Sequence, residues 1–291
     1  MMVEYIEAKS ILSKLRTKDS FFGITYNMNL YRGCQHGCIY CDTRSECYQI
    51  RDISAISVKK NALELLSKEL ASKRKNRATI GTGSMNDPYM PLEKELEITR
   101  KALQLIATYK FPVHIITKSD LVERDRDILQ DISTVYAAVS FTITTAEDDL
   151  ALRLEPFAPV TSKRFKTMEL LAAKGIYTGI TLMPVLPFIN DTTDNIEHLM
   201  KRAKDAGASY VIPMFGVTLR KGSRDYFYRA LDTGFPGMKN KYESSFGELY
   251  ECYSPNYRKL TDLFLDLSAK LNLETRIRFY EPDEYIQQSL F

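Results

Sequence analysis

Three cysteines, Cys34, Cys38 and Cys41, fall within eight residues of a 291-residue chain, separated by three and then two residues. Thiolates are ligands for soft metals and for iron–sulfur clusters, and Gly33 and Gly37 let so short a loop wrap its sulfurs around one inorganic centre. Zinc is one candidate: His36 as a fourth ligand would complete a Cys3His set. His36 lies only two residues after Cys34, however, where a fourth tetrahedral bond is hard to make. A [4Fe–4S] cube is the other candidate. It normally takes four cysteines, so three leave one iron open to a small molecule. Cys47 stands six residues beyond Cys41 across a polar stretch and reads as a bystander. Cys252 lies far along the chain, where it is either a packed thiol or a hydrogen-atom donor returned over the site. His36 could tune a cluster through a hydrogen bond, whereas His114 in an apolar strand and His198 on a helix read as structural.

Elements that alternate strand and helix must position that loop. Runs rich in β-branched residues at 24–30, 78–81, 113–117, 135–143, 177–185 and 210–215 alternate with segments of helical period. These segments carry Leu63, Leu66 and Leu70; Ile98, Ala102, Leu105 and Tyr109; Phe165, Met168, Leu171 and Ala172; and Ile196, Leu199, Met200 and Ala203. Gly175 and Gly207 sit where a helix needs a left-handed last residue. Six such units predict an α/β fold with a parallel sheet curled into a partial barrel, although an open doubly wound sheet has the same local pattern. Residues 1–219 are assigned to the barrel, with its N-terminal segment and cysteine loop. Residues 220–291, rich in Tyr and Phe, are assigned to a C-terminal extension packed on it, with an amphipathic helix near 257–271.

Composition narrows the setting. Hydrophobic residues make up 44% of the chain, which at this length is enough to bury about three quarters of the unfolded surface. Forty Lys and Arg against 37 Asp and Glu leave a net charge of +3, so charge neither demands nor excludes a nucleic-acid partner. No run approaches a membrane span, and Glu4, Glu7 and Lys9 stand where a signal peptide would be apolar. The expectation is a cytoplasmic protein without a membrane partner. The compact basic cluster Lys73, Arg74, Lys75 and Arg77 closes a helix, where cations also suit the helix dipole.

Cys-x3-Cys-x2-Cys with Tyr40 before the last cysteine resembles the signature of the radical S-adenosylmethionine superfamily. Further blocks in order resemble its spore-photoproduct-lyase-like branch: Tyr-Arg-Gly-Cys-Gln-His-Gly-Cys from Tyr31, Gly-Thr-Gly-Ser-Met-Asn-Asp-Pro-Tyr from Gly81, Ile-Ile-Thr-Lys-Ser from Ile115, Val-Ser-Phe-Thr from Val139, Leu-Glu-Pro from Leu154, and Pro-Val-Leu-Pro-Phe-Ile-Asn-Asp from Pro184. The resemblance implies a partial (β/α)6 TIM-like barrel with a helical C-terminal extension. It also implies a lyase-like enzyme in which Cys34, Cys38 and Cys41 hold a [4Fe–4S] cluster and S-adenosylmethionine chelates the fourth iron. Reductive cleavage of that cofactor would lead to hydrogen abstraction from an organic substrate, with flavodoxin or ferredoxin as the reducing partner. Lys118, Ser140 and Thr142 would contact the ribose and carboxylate of S-adenosylmethionine, Asp87 and Tyr89 would belong to the loop near its amino group, and residues 185–188 would wall the adenine. Glu155 and Arg164 would either pair to read a ligand carboxylate or form a surface pair.

One departure counts against repair of a thymine dimer. The DNA repair enzyme of the branch keeps an additional cysteine near the end of the second strand, where this chain has Ser84, Met85 and Asn86. The mild charge points the same way, since duplex binders usually carry a basic face. The alternative from another class is a non-catalytic iron–sulfur or zinc protein associated with nucleic acid.

Overall fold

A computed structural model describes residues 3–17 and 19–282. Seven strands form its main sheet: β1 (Leu12–Lys14), β2 (Tyr26–Met28), β3 (Ile80–Gly81), β4 (Val113–Thr117), β5 (Ala137–Thr142), β6 (Tyr177–Leu182) and β7 (Tyr210–Pro213). From β2 to β7 each strand pairs in parallel with the next in sequence, and β1 adds an antiparallel edge. A doubly wound sheet reverses strand order at its centre and so carries helices on both faces; an order that never reverses keeps the crossovers on one face and lets the sheet curl. The strand order therefore selects the partial barrel that periodicity alone left open.

Helices α1 (Ala62–Lys73), α2 (Ile98–Thr108), α3 (Arg126–Ile132), α4 (Asp148–Leu154), α5 (Thr161–Ala172) and α6 (Thr193–Asp205) connect these strands. The expected apolar rows turn inward at Leu66 and Leu70 on α1, Met168 and Leu171 on α5, and Leu199 and Met200 on α6; on α2 the buried set is Ala102, Leu103 and Ile106, while the expected Ile98, Leu105 and Tyr109 are half-buried. Gly175 and Gly207 follow α5 and α6 at φ +76° and +77°, the left-handed exits expected of them. Strand β5 is buried along its whole length and β6 almost so, as happens when both faces of a parallel sheet are covered.

Differences from the sequence reading have local causes. The run 24–30 does not continue as one strand: Tyr31–Arg32 leaves β2 and joins Glu4–Ile6 and Ser57–Lys59 in a separate small sheet. Beyond the barrel, a ribbon of Gly216–Thr218 and Glu251–Tyr253 brackets two helices, α7 (Ser223–Gly234) and α8 (Met238–Phe246). Their aromatic residues are weak helix formers, and the helices are held by Phe227, Tyr228 and Tyr242 packing on one another. Helix α9 (Tyr257–Leu271) lies where its period predicts. The chain then lines the open edge of β7, where Val211 N donates to Glu274 O and Glu274 N to Ser209 O, each at 2.9 Å. Among the described residues no helix is long and apolar enough to cross a membrane.

Inside the curl, His114, Ser140 and Tyr210 form a buried hydrogen-bonded plug. The Ser140 hydroxyl lies 2.7 Å from His114 Nε2 and 2.6 Å from the Tyr210 hydroxyl, and all three side chains are fully buried. Burial lowers the His114 pKa from 6.5 to about 4, against the opposing pull of the Phe22 carbonyl and Asp19. The unfolded chain therefore takes up this proton first as pH falls, and stability present above pH 6.5 is lost progressively down to pH 4. The loss attributable to this residue is about 3 kcal/mol. Urea midpoints followed from pH 7 to pH 4 should fall less steeply in His114→Gln than in the parent protein.

Candidate functional site

The cysteine loop leaves the small sheet at Gly33, whose φ of +88° and tight seat suit glycine alone: a Cβ there would stand 2.7 Å from the Ile53 carbonyl oxygen. Cys34 N donates to that same carbonyl at 2.7 Å. Further on, Ile39 N donates to Leu154 O and Phe157 N to His36 O, so the loop is docked on the segment that follows β5 and α4. The side chains beneath fix it more firmly. Glu155 accepts a hydrogen bond from the Tyr40 hydroxyl and pairs with Arg164, both charges being 1% exposed. Arg164 also donates from Nε to Pro159 O and from its other terminal nitrogen to Thr142 O, each at 2.7 Å.

Neither expectation for Glu155 and Arg164 matches this arrangement. They are not a surface pair, and their hydrogen-bonding groups face inward to the loop and the end of β5. Burial disfavours ionised Glu155, but Arg164 and Lys118 outweigh it and hold the carboxyl below its usual value.

Cys34, Cys38 and Cys41 all line one cavity of about 300 Å³ at the C-terminal ends of the strands, the end where such barrels bind ligands. Burial pushes the Cys34 thiol up to about 11, with Asp87 adding to the effect. Burial also raises Cys38 well above the ordinary thiol range, although Lys118 opposes it. Such thiols ionise when a metal replaces the proton. Among the described residues no group of three His, Cys, Asp or Glu side chains is already set to hold a single metal ion. His36 Nδ1 lies 3.4 Å from Asp87 Oδ2, which turns the ring to that carboxylate.

The other expected residues separate. Lys118 and Thr142 line the cavity. The Lys118 ammonium stands 5.8 Å over the Tyr40 ring. Burial opposes its charge, but Cys38 and Glu155 raise its pKa overall. Asp87 also lines the cavity, yet its oxygens are already occupied. Oδ1 accepts from the Tyr89 amide and the Thr117 hydroxyl, while Oδ2 accepts from the Lys118 amide and faces His36. Burial would raise this carboxyl, but His36, the Lys118 amide and Thr117 hold it down at about 2. With four partners on two oxygens, Asp87 is saturated and orients the wall.

Ser140 does not line the cavity; it belongs to the plug two residues below Thr142 on the same face of β5. Tyr89 is fully buried and lines a neighbouring hollow with Lys94 and Arg124. Met183 and Pro184 border the cavity, whereas Val185 and Leu186 are buried in apolar clusters and the Phe188 ring packs against Tyr242. Cys252 does not return over the site. It is 1% exposed, packs with Phe227, Tyr228 and Tyr242, and directs its sulfur to Leu249 O at 3.6 Å. Cys47 is exposed, 3.5 Å from Arg220. The basic cluster of Lys73 to Arg77 lies where α1 ends and β3 begins, the barrel end opposite the cavity.

Sequence reading missed several cavity residues. Met183 was recoverable from its position at the end of a strand, and Met85 and Asn86 from the block around Asp87. Thr218 was not, because nothing local marks the ribbon that carries it to the rim.

Residues 28–203 match the profile of the radical SAM superfamily. An uncharacterised protein of Methanocaldococcus jannaschii is 30% identical over 221 residues, 75% of this chain and 81% of its own. The radical SAM Nalpha-GlyT isomerase of Pseudomonas phage M6 is 28% identical over 182 residues, which span 62% of this chain but only 37% of that protein. Spore photoproduct lyase complexed with dinucleoside spore photoproduct superposes with a TM-score of 0.68 at 14% identity, covering 92% of this chain and 79% of the other; this likeness is one of fold. A non-catalytic metal protein is thereby set aside: the chain belongs to the radical SAM superfamily, as an enzyme with the spore-photoproduct-lyase fold.

Proposed function

We propose that Cys34, Cys38 and Cys41 hold a [4Fe–4S] cluster with one iron left for S-adenosylmethionine, in a reducing cytoplasmic setting where a flavodoxin or ferredoxin supplies the electron. The observation that carries this reading is the cavity itself: three thiols in Cys-x3-Cys-x2-Cys spacing border one hollow at the C-terminal strand ends, with the Lys118 cation in the same wall and room for a second ligand beside them. Bound there, the two cofactors supply one-electron cleavage of a carbon–sulfur bond and hydrogen abstraction from an organic substrate. The chain's own residues do the positioning. Lys118, a cavity cation, suits the carboxylate of S-adenosylmethionine, and the Thr142 hydroxyl suits its ribose. Met183 and Pro184 offer apolar surface to the adenine. Asp87 holds His36 and the Lys118 backbone in place, and Glu155 with Arg164 holds Tyr40 beneath Cys38. We also read residues 1–219 as the catalytic barrel and 220–291 as its extension, of which 1–2, 18 and 283–291 lie outside the described residues. Nucleic acid finds no support in the basic cluster, which stands at the far end.

Anaerobic reconstitution should give about four irons per chain, and dithionite should then release 5′-deoxyadenosine from S-adenosylmethionine. One zinc per chain without labile sulfide, or a fully reconstituted protein that releases none, would overturn the reading. Alanine at Cys34, Cys38 or Cys41 should each reduce bound iron to a small fraction of the parent's. Lys118→Met should keep the iron but weaken S-adenosylmethionine binding about tenfold or more, read by equilibrium dialysis. Arg164→Met takes from buried Glu155 the guanidinium it pairs with and should cost about 3 to 5 kcal/mol in urea denaturation. The double variant Glu155→Leu with Arg164→Met should lose less than the two single losses added.

A further inference from the structure

Below the thiol cavity the curled sheet, with Leu15, Asp19, Phe22 and Ile24 from the segment between β1 and β2, borders a second hollow of about 280 Å³ that opens to solvent at Leu15 and Ser84. The two spaces share Gly83, Ser84, Ile116, Thr142 and Met183 as common wall, and the lower one lies above the plug of His114, Ser140 and Tyr210. Apolar side chains dominate its lining, with Phe22 and Ile24, Ile116, and Met183 contributed from three segments. Apart from Asp19 at its rim, its described polar groups are neutral. Thr142 and Thr181 share a hydrogen bond at 2.9 Å, and Asn27 donates to Ser84 at 2.7 Å. Thr82 differs: it is 2% exposed, it lines the hollow, and its hydroxyl has no hydrogen-bond partner.

A buried hydroxyl without a partner costs free energy comparable to a lost hydrogen bond, so it marks a place where a ligand group completes the structure. Charge points to the class of that ligand. Among the described residues the hollow's one charged lining residue is Asp19, at its partly exposed rim, and the Asp19 carboxylate accepts the amides of Phe21, Phe22 and Ile24 within its own turn. Among the described residues no cation borders the space to receive a phosphate or carboxylate, and burying an ion without a partner is costly. Size sets the scale: an apolar cavity of about 150 Å³ admits benzene, so this one has room for roughly one or two rings.

We infer that this lower hollow receives the reacting part of the substrate, and that this part is an uncharged, ring-sized group whose polar atom pairs with the Thr82 hydroxyl. The inference rests on the reading of the upper cavity as the S-adenosylmethionine site, since the shared wall is what sets the two ligands side by side. It deepens that reading by naming a chemical class for the substrate.

Benzamide, benzoate and benzamidine have one shape and three charges. Each is titrated into the reconstituted protein holding S-adenosylmethionine and followed by ligand-observed NMR. Benzamide should bind saturably, at least about tenfold tighter than either charged analogue. Thr82→Val, which keeps side-chain shape, should weaken benzamide about tenfold, and Thr82→Ser should retain it. Equal binding of a charged analogue, no saturable binding of benzamide, or an unchanged Thr82→Val would overturn the inference. Release of 5′-deoxyadenosine is measured separately in the same preparations without any probe. If it is formed while benzamide fails, the lower hollow's assignment falls and the cofactor reading stands. If benzamide binds selectively while none is formed, the cofactor reading falls and the neutral hollow stands.

Discussion

The site depends on one buried ion pair. Glu155 and Arg164 are both nearly inaccessible to water, and taking two charges out of solvent is tolerated only where every remaining hydrogen-bonding group is met. Here Glu155 reaches Tyr40 of the cysteine loop while Arg164 reaches Thr142 at the end of β5 and Pro159 after α4. The cysteine loop is thereby held against the 142–164 stretch, about a hundred residues further along the chain. The thiol spacing has a fixed geometry only because the loop beneath it is fixed.

Above and below that point the barrel interior is graded. The plug of His114, Ser140 and Tyr210 is fully buried and hydrogen-bonded. Next comes a space lined by apolar side chains and neutral hydroxyls, and above it the thiols, Lys118 and Asp87. Polarity rises toward the C-terminal strand ends because neutral groups can be satisfied deep in the sheet by one another, whereas charges need either a partner or a cofactor. The same rule explains why Asp87 serves as a support: a carboxylate buried so deeply keeps its charge by accepting four contacts, and that leaves it none to offer.

Much of the fold was legible in the amino-acid order. Strand β4 spans the predicted residues, and β5 and β6 lie within theirs, because β-branched runs flanked by helical periods have few other solutions. Helices α7 and α8 were not legible, since Tyr, Phe and Gly favour no helix locally and tertiary packing supplies the stability. Ser140 and Thr142 show the limit within a single strand. They share a face, yet two residues of rise put one in the plug and the other in the cavity wall.

The sequence by itself determined the donors, three crowded thiols with a Tyr before the last, and the order of β-α units that brings strand ends together. It also sufficed for the family. Only the tertiary structure decided that Glu155 and Arg164 face inward, that Cys252 is packed away from the site, and that Thr82 is left with an unmet hydroxyl. Residue types and spacing follow from the chain alone. Which polar groups satisfy one another, and which remain for a ligand, depends on contacts between segments a hundred residues apart.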